Sequence, residues 1–156
     1  MLFASQNKLY LVDRVGRMVR GFPKTLPDNV VYGPEIFDLL GDKNYSFMVL
    51  NEDNSVAIYK LTRDKVNEGV KIKAPEFVKE LPKIVEINGK KYLFLKTVSY
   101  LRVYDMKGSE IIIKDKKRMI APDSEIIETA GDEIRVKGVD GKEFLLNLTT
   151  GKTKKV

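Results

Sequence analysis

An all-β fold is what this sequence predicts, on three observations. Its apolar residues alternate with period 2 or fall in short continuous runs, and helical spacing is rare. The runs are rich in Val, Ile, Tyr and Phe, side chains that suit a pleated, half-buried surface. Turn-forming Gly, Asn and Asp residues separate the runs at short intervals.

In chain order, strands are expected at 2–5, 9–13 and 17–22. The next group is 34–39, 44–50 and 56–61, followed by 82–87, 90–97, 101–105 and 110–113. The last is 124–128, 133–138 and 144–148. The turns between them carry Gly41-Asp42, Asn51 to Asn54, Asn88-Gly89, Gly131-Asp132, Asp140-Gly141 and Thr150-Gly151. The segment Pro75 to Leu81 lies between prolines and reads as a loop or a single helical turn.

The strands repeat a pattern. An opener (Pro34 to Leu39, Pro82 to Ile87, Ser124 to Glu128) is followed by a Gly-containing turn, a second strand, another turn and a third strand. The third strands align at Leu9, Val56, Leu101 and Phe144, with further anchors at Leu11, Ile58, Val103 and Leu146. A glycine follows at Gly16, Gly108 and Gly151, and the second unit breaks this rule with Arg63. Small antiparallel sheets recurring every ~40–50 residues have the spacing of propeller blades. The expected architecture is therefore β-propeller-like, with about three to four four-stranded antiparallel blades in a partial ring. The blade bounds are 1–33 (incomplete), 34–81, 82–123 and 124–156.

Composition narrows the chemistry. The 156 residues are 43% hydrophobic and 32% charged, and a chain of this size buries roughly 70% of its unfolded surface without needing disulfides or metals. There is no Cys, His or Trp. Thiolate sites, the commonest zinc ligand and general base, and the Ser-His-Asp triad are thus excluded. No catalytic residue, cofactor or metal is expected. Lys and Arg number 28 against 22 Asp and Glu, giving a net charge of +6 that favours solubility and polyanion contact. No window approaches the ~18 apolar residues of a membrane span, and MLFASQNKLYLVD lacks the order of a signal peptide. The cellular compartment stays open.

Several stretches resemble known propeller families. Leu9-Tyr10-Leu11-Val12-Asp13-Arg14-Val15-Gly16-Arg17, continuing to Gly21-Phe22-Pro23, resembles blades of bacterial β-propeller proteins. Asp38-Leu39-Leu40-Gly41-Asp42-Lys43 is similar to the openers of FG-GAP-like repeats. Leu146-Asn147-Leu148-Thr149-Thr150-Gly151-Lys152 is similar to an element of quinoprotein blades. The resemblance implies a propeller fold but neither family's cofactor. The acidic calcium loop of FG-GAP-like blades and the tryptophan docking of quinoproteins are both missing. Because a ring needs roughly 4–8 blades, the chain is expected to be the C-terminal part of a larger propeller. The alternatives are two copies completing one another, or a shortened four-bladed ring.

Lys114, Lys116, Lys117 and Arg118 form a candidate polyanion contact, weighed against a solvated loop that guards a sheet edge. The tail Lys152, Lys154 and Lys155 is expected to fray. Phe47, Tyr59, Tyr92, Phe94 and Tyr104 fall inside strands and are assigned to the core, so nucleic acid is not an expected partner. Glu35, Glu86 and Glu125 occupy equivalent openers, where hydration competes with a cation- or sugar-binding role. Asp13 and Asp105 are assigned to turn hydrogen bonds, and Asn147-Leu148-Thr149 to a chance glycosylation sequon. These readings together describe a non-catalytic scaffold for a protein, peptide or carbohydrate ligand, able to self-associate through open blade edges. The alternative is part of a propeller enzyme whose catalytic residues lie outside this chain.

Overall fold

The computed structural model describes residues 1–38, 44–62 and 65–156, and among them every regular element is a β-strand. Sheet 1 contains β1 (Leu2–Ser5), β2 (Lys8–Leu11) and β3 (Lys24–Thr25). Sheet 2 contains β4 (Val30–Phe37), β5 (Tyr45–Asn51), β6 (Ser55–Thr62) and β7 (Lys65–Lys73). Sheet 3 contains β8 (Lys83–Ile87), β9 (Lys90–Lys96) and β10 (Leu101–Asp105). Sheet 4 contains β11 (Ile127–Glu128), β12 (Glu133–Lys137), β13 (Glu143–Asn147) and β14 (Thr153–Lys155). Every sheet is an antiparallel meander of sequential strands.

The chain divides into two compact units, Met1–Pro75 and Glu76–Val156. In the first, Leu9, Phe22 and Leu26 pack against Phe47, Val49, Ala57 and Tyr59 of sheet 2. The Phe47 and Tyr59 rings stack 5.2 Å apart. In the second, Tyr92, Phe94 and Val103 of sheet 3 pack against Ile134, Val136, Phe144 and Leu146 of sheet 4. Each such Val, Leu or Phe contributes ~1.5–3 kcal/mol through burial. The repeated anchors Leu9, Val56, Leu101 and Phe144 are all buried, as are the five strand aromatics assigned to the core.

Strand composition tracks how many faces are covered. The runs Phe47 to Leu50 and Tyr92 to Leu95 are buried at every position, whereas β12 and β13 alternate. Continuous apolar runs belong to strands covered on both faces, and alternating ones to strands with a wet face.

The turns follow side-chain chemistry. Asn88 (φ +50°) and Gly89 (φ +76°) supply the two positive φ values that a tight two-residue hairpin requires. Asp13 Oδ1 accepts the N–H groups of Val15 and Arg17, both at 2.9 Å. Asp105 Oδ1 does the same for Lys107 and Ser109, again at 2.9 Å. The expected turn role of both aspartates is therefore observed. Asn147 adds a third case, its Oδ1 accepting from Thr149 at 3.0 Å and Thr150 at 2.8 Å. What read as a sequon is a turn lock.

Some expected elements differ, and sheets 1 and 3 have three strands rather than the four of a full blade, because residues 17–22 and 110–113 contribute bridges instead of full strands. The strand at 17–22 reduces to a bridge between Met18 and Val12, because the backbone turns at Gly21 (φ +92°). The strand at 110–113 reduces to a bridge between Glu110 and Tyr104, after which the chain leaves the sheet to meet the turn at Gly151. The tail does not fray: Thr153 to Lys155 pair with Phe144 to Leu146 as β14. Strand β7, unforeseen because Lys, Asn, Glu and Gly interrupt its apolar positions, forms one edge of sheet 2. Residues 75–81 form no helix. The Gly41-Asp42 turn, the FG-GAP-like opener beyond Asp38 and Arg63 lie outside the described residues.

Candidate functional site

The two basic stretches, far apart in sequence, meet in the second unit. The loop after Ile113 is shaped by Asp115, whose Oδ1 accepts the Lys117 N–H at 3.1 Å and whose carbonyl accepts the Arg118 N–H at 2.9 Å. Arg118 reaches back to the Asp115 carboxylate at 3.4 Å and outward to Thr153 Oγ1 of β14 at 3.3 Å. Lys114 N–H donates to the Gly151 carbonyl at 3.0 Å. Gly151 has φ +70°, and a Cβ there would collide with the Ile112 carbonyl oxygen. A glycine is needed for loop and turn to approach this closely.

Between loop, β14 and the turn at 138–142 lies an open cleft of about 470 Å³. Lys117, Arg118, Lys142 and Lys155 supply its cations, and Asp115, Asp140 and Glu143 its carboxylates. Asp140 Oδ1 accepts the Lys142 N–H at 3.0 Å, which fixes that turn. Of the four expected polyanion residues, Lys117 and Arg118 line this cleft. Lys116 instead lines a separate depression with Arg102 and Glu110, and Lys114 serves through its backbone. Carboxylates interleave with the cations, so the potential is mixed rather than uniformly positive. Lys142 and Lys155 enter through tertiary folding, and only the Lys-rich tail hinted at the second.

Two other polar clusters link strands and turns of the second unit. Arg102 makes 2.8 Å ion pairs with both Glu76 and Glu110. Hydrogen bonds from Ser99, then Arg102, hold the Glu76 carboxyl below its usual range. Burial opposes the Arg102 charge, but the two carboxylates outweigh it and raise its pKa further. Asp132 joins the Asn88 turn to the Thr149 turn, accepting from Asn88 Nδ2 at 3.0 Å and Thr149 Oγ1 at 2.5 Å. These bonds, with Lys90 beside them, lower its pKa.

Glu35 and Glu86 are exposed on β4 and β8, and Glu125 is exposed ahead of β11. Among the described residues no group of three or more acidic, His or Cys side chains could hold a metal ion. No helix there is long and apolar enough to cross a membrane. Compared with known protein families the chain matches none, and no curated protein matches it.

Proposed function

We propose that this chain is a non-catalytic binding module of the β-propeller type, its four meander sheets acting as blades of a partial ring. The repeated Asp-centred turns at Asp13 and Asp105 and the face-to-face packing of sheets within each unit support the blade reading. The ligand is a protein segment or peptide of mixed charge, held in the cleft beside β14. The observation that carries this is the interleaving of Lys117, Lys142 and Lys155 with Asp140 and Glu143 in an open cleft. A polyanion would meet three carboxylates there, while a peptide bearing both signs would find partners for each.

The test is a mixed-charge peptide array probed with the chain and with a Lys117→Glu/Lys155→Glu double variant. Both substitutions fall on exposed side chains, so the fold should persist by circular dichroism. Peptides whose affinity falls at least tenfold in the variant support the assignment. Peptide binding that is indifferent to both changes removes it.

A further inference from the structure

Asn88-Gly89 is the one Asn-Gly step in the sequence. It forms the turn of the β8–β9 hairpin, with both residues exposed and at positive φ. The space around Gly89 is open, since a Cβ there would meet nothing within 4 Å. Among the described residues nothing accepts the Gly89 N–H. Asn88, in contrast, is tied down twice. Its N–H donates to Glu128 Oε1 of β11 at 3.0 Å, and its Nδ2 donates to Asp132 Oδ1 at 3.0 Å. Asp132 also accepts from Thr149 Oγ1 and lies 3.7 Å from Lys90 Nζ. Asn88 thus ties the hairpin of sheet 3 to sheet 4, and both of its acceptors are carboxylates.

We propose that Asn88 is a site of spontaneous deamidation, and that the carboxylate it yields unties the β8–β9 hairpin from sheet 4. Nothing in this depends on the cleft or its ligand. The Gly89 nitrogen, its proton lost to hydroxide, attacks Asn88 Cγ. The new N–Cγ bond forms, the Cγ–Nδ2 bond breaks and ammonia leaves, giving a cyclic succinimide. Water then adds to either carbonyl of the ring and opens it to an aspartate or an isoaspartate. In sum, one amide and one water become one carboxylate and one ammonium, with no oxidant or cofactor. Glycine at the following position favours the attack, because it carries no side chain to crowd the nitrogen.

The geometry sets both the rate and the consequence. To react, the Asn88 side chain must leave Asp132 and fold over its own peptide link, so the tie to Asp132 holds the site closed. Reaction is confined to moments when the turn opens, and each hydrogen bond that must break makes those rarer. Afterwards the side chain at position 88 has no amide proton to donate. An aspartate there sets a third negative charge against Glu128 and Asp132, with Lys90 the cation beside them. Tight two-residue turns accept Asp-Gly as they accept Asn-Gly. The hairpin itself therefore survives, and its tie to sheet 4 is what is lost.

Peptide mapping by mass spectrometry, after the full chain has stood at pH 8 and 37 °C, tests the site. Asn88 should deamidate ahead of every other asparagine, with a gain of about 1 Da. Asp132→Ala should speed this at least threefold by freeing the side-chain amide, and Glu128→Ala does the same service should Asp132→Ala fail to fold. Asn88→Asp, the product made directly, should lower the urea midpoint by about 0.5–1 M. Exchanging donor and acceptor in Asn88→Asp/Asp132→Asn rebuilds the bond and should recover most of that loss. An unmodified Asn88, a rate indifferent to both alanine variants, an Asn88→Asp variant as stable as the parent, or an exchanged pair that recovers nothing would each overturn the proposal.

Discussion

Replacing Gly151 by Ala probes the contact that assembles the cleft, and Gly141 in the same unit provides the control. Both glycines have positive φ, +70° and +81°, so an alanine at either carries the left-handed penalty of about 1–2 kcal/mol. Around Gly141 a new Cβ would meet nothing within 4 Å. At Gly151 it would strike the Ile112 carbonyl oxygen, and the turn must withdraw. Withdrawal breaks the hydrogen bond from Lys114 N–H to the Gly151 carbonyl, worth about 1 kcal/mol, and loosens the packing beside it. The expected totals are about 3–4 kcal/mol for Gly151→Ala and about 1–2 kcal/mol for Gly141→Ala. With a urea dependence of about 1.5 kcal/mol/M, the unfolding midpoints should fall by about 2 M and about 1 M. Urea titration followed by far-ultraviolet circular dichroism measures both. Equal shifts for the two variants would refute the close approach as the reason for glycine at 151.

Three further outcomes are expected. Ile58→Asp or Val103→Asp should abolish folding of the unit that contains it, because each buries a carboxylate without a partner, while Lys116→Glu should leave the melting temperature nearly unchanged. Equal tolerance of all three by thermal melting removes the anchor assignment. Asp105→Ala should cost about 1–2 kcal/mol through two lost N–H acceptor contacts, lowering the melting temperature by about 5–10 °C, with Asp105→Asn recovering much of it. Burial pushes the Tyr59 and Tyr104 phenols up to about 12, so the fold favours their neutral form. Their stabilisation is complete below about pH 10 and is lost as pH rises from there through about 12. Phenolate absorbance should show part of the seven tyrosines ionising only as circular dichroism is lost. Ionisation of all seven near pH 10 with the spectrum intact would contradict this.

The sheets were legible where local chemistry and core composition agree. Leu9, Val56, Leu101 and Phe144 could be picked out because a half-buried strand needs apolar residues at period 2, and all four are buried. Asn88-Gly89 and the aspartates 13 and 105 could be read because their turns are closed within a few residues. Strand β7 could not. An edge strand needs little apolar surface of its own, and β7 is held by backbone pairing, with Asn67, Glu68 and Lys71 set opposite Lys60, Tyr59 and Ala57 of β6. The tail misled for a similar reason: Lys154 and Lys155 read as a solvated end, yet backbone pairing with β13 orders them.

By itself the sequence determined the strand class, the turn chemistry and the absence of Cys, His and Trp, because these depend on each residue and its near neighbours. Tertiary structure decided which charges share a cleft and which apolar face stays open. Lys117 and Lys155 meet because Gly151 lets two backbones approach, and Phe3 stays exposed beside Tyr10 because packing covers only the Leu9 side of sheet 1. Both outcomes turn on contacts between residues distant in the chain, and such contacts leave no local pattern to read.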